Sequence, residues 1–81
     1  MSSFDEVRAA LALVAERLAA ALGHAATAQE QIADAVGVLS QLDHSAPLVP
    51  PELRRAGDEL ERSLQLISGG ARSVTDIGAR L

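Results

Sequence analysis

Apolar and small residues recur along the first half of the chain in alternating steps of three and four: Phe4, Val7, Leu11, Val14, Leu18, Ala21, Ala25, Ala28, Ile32, Ala35, Leu39 and Leu42. The phase never slips. A heptad pattern held that long predicts one nearly straight α-helix over about 4–42, roughly 60 Å in length, with a left-handed supercoiling seam. Ser3 followed by Glu6 forms an S-x-x-E capping box at its start, each side chain able to satisfy a backbone donor that the helix leaves open. Gly23 and Gly37 fall off the seam, where each costs up to about 1 kcal/mol relative to Ala.

The stretch Asp43-His44-Ser45-Ala46-Pro47-Leu48-Val49-Pro50 carries turn formers and prolines that cannot continue a helix, so a loop is expected over 43–50. Pro51 suits a first helical position and Glu52 complements the positive end of the helix dipole. A second helix is expected over about 51–81, its heptad carried by Leu53, Gly57, Leu60, Leu64, Ile67, Ala71, Val74, Gly78 and Leu81. Gly69 and Gly70 together cost about 2 kcal/mol of helix propensity. The apolar phase runs straight across them, which favours a continuous or kinked helix over a break.

Folding back at the proline loop gives an all-α, antiparallel two-helix hairpin as a single domain over 1–81. The expected register sets Leu39 against Leu53, Ala35 against Gly57, Ile32 against Leu60, Ala25 against Ile67, Leu18 against Val74 and Leu11 against Leu81. Helix 1 outruns helix 2 in that register, with Phe4 and Val7 projecting roughly 10 to 15 Å beyond its end. The stripes are also wider than a two-stranded seam: Leu22, Val36 and Val38 flank helix 1, and Leu66 and Ile77 widen helix 2. Such width suits three or four helices. Each buried aliphatic side chain contributes about 1.5 to 3 kcal/mol against roughly 1.5 kcal/mol of ordering per residue, so a lone hairpin falls short. Two hairpins associating into a four-helix bundle are therefore expected. The interface is expected to draw on Phe4, Val7, Leu11, Val14, Leu18, Leu22, Val36, Val38, Leu66 and Ile77.

Composition narrows the partners. The chain has 81 residues, 48% of them hydrophobic and 1% aromatic, so its apolar content is aliphatic helix former. It has no cysteine, and therefore neither a disulfide framework nor a thiolate metal site. A net charge of −4 opposes the counterion release that drives non-specific nucleic-acid binding. All seven basic residues are Arg, a pattern typical of GC-rich coding. The most apolar stretch, Ala9 to Ala28, has Glu16 and Arg17 in its middle, where a bilayer core would exact a heavy cost; no membrane association is expected. The chain opens with Asp5 and Glu6 in the first turn, unlike a secretory signal. Between Ala19 and Ala28 the helix is small and nearly uncharged on every side, which reads either as inexpensive helix or as a close-approach groove for a partner helix.

Chemistry is sparse. His24 and His44 have no His or Cys at helical spacing to complete a metal pair, and Glu30 with Asp34 has no companion His. Arg54, Arg55, Asp58, Glu59 and Arg62 offer i, i+4 ion pairs, each worth a few tenths of a kcal/mol to the helix. Ser68-Gly69-Gly70 has neither the preceding strand nor the following Gly-Lys-Ser/Thr of a phosphate loop. No catalytic residue, metal or cofactor is expected, and the chain reads as non-enzymatic.

Two helices of similar size joined by a short turn, in an Ala-rich and Arg-only chain opening Met1-Ser2-Ser3-Phe4-Asp5-Glu6-Val7-Arg8-Ala9-Ala10, resemble the small helical-hairpin proteins of actinobacterial type VII secretion and polymorphic-toxin neighbourhoods. The W-x-G turn and the Tyr-x-x-x-Asp/Glu signal of that family are absent, because the chain has no Trp and no Tyr. No single functional residue carries across. The resemblance implies a partner or adaptor of a larger secreted effector, pairing with itself or with a related hairpin. The alternative is an antitoxin-like or regulatory protein that masks its partner. A cytoplasmic location is expected, with export alongside a partner by a specialised system as the variant of that expectation.

Overall fold

The computed structural model describes residues 3–42 and 48–81, and among them forms two α-helices and no strand: α1 (Ser3–Leu42) and α2 (Pro51–Arg80), packed antiparallel along their lengths. The all-α hairpin expected from the heptads is the fold. Helix α1 begins at Ser3, so Ser3 lies within the helix, one residue earlier than a capping box centred on it requires. Asp43, His44, Ser45, Ala46 and Pro47, most of the expected loop, lie outside the described residues. Pro50 stands at the N-cap of α2 in an extended conformation (φ −64°, ψ 141°), the geometry that the ring of Pro51 imposes on its predecessor. Its carbonyl accepts from the backbone N–H of Leu53 at 3.0 Å. Helix α2 runs unbroken through Gly69 and Gly70, and no glycine has positive φ. Packing against α1 on one side compensates the low propensity of the pair.

The two helices differ in character. Helix α2 is sharply amphipathic, with ten of the chain's charged residues between Glu52 and Arg80. Helix α1 is far less one-sided: from Ala9 to Leu42 its charges are Glu16, Arg17, Glu30 and Asp34, and apolar or small residues occupy most of its circumference. By length and composition alone α1 meets the requirement for crossing a membrane.

In α2 every expected seam position, from Leu53 to Leu81, is half-buried. Helix α1 departs from expectation. Leu11, Leu18, Ala25, Ile32 and Leu39 are half-buried as expected, but the companion row is Ala15, Leu22, Gln29 and Val36. Val14 and Ala35 are exposed, and Ala21 and Ala28 sit half-buried at the margin. The rows compete because each lies one step to either side of the Leu11–Leu39 line. Covering Leu22 and Val36 removes more apolar surface from water than covering Val14 among alanines. Ala15 also lets the helix backbones approach.

The pairing is displaced as well. A Cβ at Gly57 would meet Cγ2 of Ile32 at 3.4 Å, and the Arg8 guanidinium donates to the backbone oxygen of Leu81. Both contacts sit about three residues from the expected register, which shortens the overhang of α1 by about one turn, roughly 5 Å. The helices come close at Gly57, where a Cβ would already stand in van der Waals contact with Ile32 and leave no room for a larger side chain.

The result is a rod of 68 × 15 × 14 Å with a radius of gyration of 18.6 Å, where a compact chain of this length has about 12 Å.

Candidate interaction surface

Two helices in contact cannot enclose a third layer, and among the described residues no side chain is buried. The hairpin exposes 6077 Å². A compact folded chain of 8.4 kDa exposes about 4,600 Å² by surface-to-mass scaling. Large hydrophobic side chains share in that exposure: Phe4, Val7, Leu13, Val14, Val38, Leu42, Leu48, Leu66 and Ile77 are all exposed, with Leu66 at 71% and Phe4 at 61%.

Of the ten residues expected at an interface, Phe4, Val7, Val14, Val38, Leu66 and Ile77 are exposed, whereas Leu11, Leu18, Leu22 and Val36 are half-buried in the hairpin's own seam. Leu42, which the heptad placed in the seam, is 61% exposed beyond the last close pairing. Leu13 and Leu48 went unnoticed in the sequence because neither lies on the heptad stripe.

These side chains are unevenly distributed around the rod. Three shallow grooves follow the line where α1 meets α2, and all three open on one side. One is lined by Gln29, Ala33, Arg54, Asp58 and Glu61; a second by Leu22, Gln65, Ser68 and Arg72; a third by Arg8, Ala12, Ala15 and Thr75. Arg8, Arg54, Asp58, Glu61 and Arg72 stand along these grooves, whose floors are the seam residues Leu11, Ile32, Leu64 and Val74.

The opposite side is built from the rows one step across the seam. On α1 that row is Val7, Val14, Ala21, Ala28, Ala35 and Leu42, the companion row that the seam passed over. On α2 it is Ala56, Ser63, Gly70 and Ile77. Neither row contains a charge. Its outer borders hold Val38 and Leu66 together with the charged Arg17, Glu52, Glu59 and Arg80, so most of the exposed large hydrophobics belong to this smooth side, within a charged rim.

Electrostatic structure is slight. Asp5 and Arg8, three residues apart and both well exposed, approach to 3.7 Å; this is the only ion pair among the described residues. The i, i+4 pairs expected among Arg54, Arg55, Asp58, Glu59 and Arg62 do not close. On an exposed face, the side-chain entropy of holding such a pair cancels most of its Coulomb gain. Thr27 and Thr75 donate their hydroxyls to the carbonyls of Gly23 and Ala71, each at 3.0 Å, which satisfies both groups within their own helices. Among the described residues no group of three His, Asp or Glu side chains is placed to hold a metal ion.

Fold and surface together define a coiled-coil-like helical hairpin with an uncharged strip along one side of its seam. Comparisons with protein-family profiles, curated proteins and solved structures give no match to this chain.

Proposed function

We propose that this chain is a non-catalytic protein–protein interaction module, a helical hairpin that completes its core by forming a bundle with another helical chain. The observation that carries the reading is the absence of any buried residue among those described, beside nine exposed large aliphatic or aromatic side chains. A fold that buries about half of its extended-chain surface, against roughly 60% for a domain of about 60 residues, is left short of stability unless a partner adds to it. In this reading α1 is the central helix, because its apolar circumference exceeds what α2 covers, and α2 supplies the solvated exterior.

A role as partner or adaptor of a larger secreted effector accords with the N-terminal sequence and the overall layout. A membrane role for α1 is disfavoured by Glu16 and Arg17, each costing about 2.5 to 3.5 kcal/mol at a bilayer centre. The test is the oligomeric state and thermal unfolding of the purified chain. The expected outcome is assembly with itself or with a co-expressed neighbouring gene product, and unfolding that moves to higher temperature as the partner concentration rises. A folded monomer melting cooperatively, at a temperature independent of concentration and of any co-expressed protein, would overturn the reading. Neutralisation of a toxic partner by the intact hairpin would point instead to the antitoxin-like role.

A further inference from the structure

Resting on the interaction reading above, we infer that the smooth side of the hairpin is the docking face and that its occupant is a second copy of this chain. Three features of that face converge. The first is the lack of charge in its two central rows. Two chains of net charge −4 repel on approach, and the repulsion is weaker where charges of both signs, Arg17, Glu52, Glu59 and Arg80, stand only at the rim and stay solvated; on the grooved side Arg54, Asp58 and Glu61 line the contact itself, and the two carboxylates would be desolvated or brought near their own copies.

The second is its shape. The middle of the face is floored by Ala28 and Ala35 of α1 and Ala56 and Ser63 of α2, while large side chains stand at both ends. With Arg8 placed at Leu81, the ends are Val7, Val14 and Ile77 on one side and Leu42 on the other. This large–small–large order is kept, though with unequal ends, when the rod is turned end for end. A surface that matches its own two-fold image meets the requirement of an isologous interface, and the small-residue floor allows the helix backbones to come close.

The third is area. A footprint the length and width of the rod covers roughly 2,000 Å² in total, and merging two hairpins into one compact body would remove up to about 4,500 Å² from solvent. Both figures fall in the range of obligate homodimers, about 2,000 to 5,000 Å². The spare row of α1 thus acquires a purpose: the sequence supplies two companion rows beside the Leu11–Leu39 line, the hairpin consumes one, and the second copy takes the other.

The test uses the full chain. Sedimentation equilibrium of the wild type should give twice the 8.4 kDa chain mass. Ser63→Arg and Ala35→Arg, both at exposed positions of the smooth side, should shift the protein to the chain mass by weakening association about a hundredfold or more. Ala26→Arg on the grooved side should leave the dimer intact. Single-cysteine variants Ser63→Cys and Ala26→Cys provide a second readout in case the arginine variants unfold. At about 100 µM chain, maleimide labelling of the first should be roughly tenfold slower than that of the second, and the gap should close on dilution. Equal labelling rates, loss of the dimer on Ala26→Arg, or its retention on Ser63→Arg overturns the inference. A wild-type chain that assembles only with a different protein also overturns it, while leaving the interaction reading standing.

Discussion

At the scale of single residues, the positions that carry the most information are the exposed apolar ones and the glycines. Phe4 is the only Phe, Tyr or Trp in the chain and is 61% exposed near the N-terminal end of α1. Covering that surface in an assembly contributes about 1 to 2 kcal/mol, so Phe4→Ala should weaken association about five- to thirtyfold. Glu30→Ala, on the outer surface of α1, should leave it unchanged. Equal dissociation constants for the Phe4 variant and the wild type, measured by dilution calorimetry, would place Phe4 outside the interface. The glycines separate into two kinds. Gly57 faces Ile32 closely enough that any side chain longer than a methyl must push the helices apart. Gly69 has open space where a Cβ would stand and a helical backbone, so Gly69→Ala should stabilise the helix by about 0.5 to 1 kcal/mol. A lower urea midpoint for that variant would contradict the open geometry.

At the scale of the helices, the choice between two companion rows on α1 governs everything downstream. Because Leu22 lies in the seam and Val14 outside it, truncating them should act on different equilibria. In the Ser63→Arg background, where self-association is removed, Leu22→Ala should cost the hairpin about 1 to 2 kcal/mol and Val14→Ala less than about 0.5 kcal/mol. In the wild-type background Val14→Ala should weaken the dimer. If the two variants destabilise the isolated hairpin equally, as followed by circular dichroism in urea, the seam does not discriminate between the rows. The contrast between the helices follows from the same division of labour. Helix α2 needs one stripe and has one, whereas α1 is apolar on more sides than α2 can cover.

For the whole molecule, the elongated shape makes the manner of association measurable. Side-by-side packing of two rods of 68 Å, with helix layers about 8 to 10 Å apart, raises the radius of gyration only from 18.6 Å to about 19 Å while the mass doubles. End-to-end association at doubled mass would instead bring it to about 39 Å by the same geometry. Small-angle scattering should therefore report a doubled mass with nearly unchanged length. A doubled length would exclude the face-to-face arrangement. The thermal midpoint should likewise rise with concentration, since unfolding and dissociation are coupled when the free hairpin has no buried core.

The two helices, the break between them and the continuity of α2 through Gly69 and Gly70 were all legible in the sequence, because heptad phase and proline chemistry act locally and α2 has only one apolar stripe to offer. The pairing of the rows was not. On α1 the residues at 14, 21, 28 and 35 and those at 15, 22, 29 and 36 are both compatible with the Leu11–Leu39 line, and heptad counting weighs an alanine the same as a leucine. Only three-dimensional packing decides between them, since it compares the apolar area each row covers against the side chains α2 presents. The register moved by about a turn for a related reason: Gly57 can admit Ile32, a fit of volumes that periodicity does not encode. The sequence by itself thus determined the elements and their apolar content. The tertiary structure decided which apolar row the hairpin keeps and which it leaves for another chain, because that choice depends on how two surfaces fit.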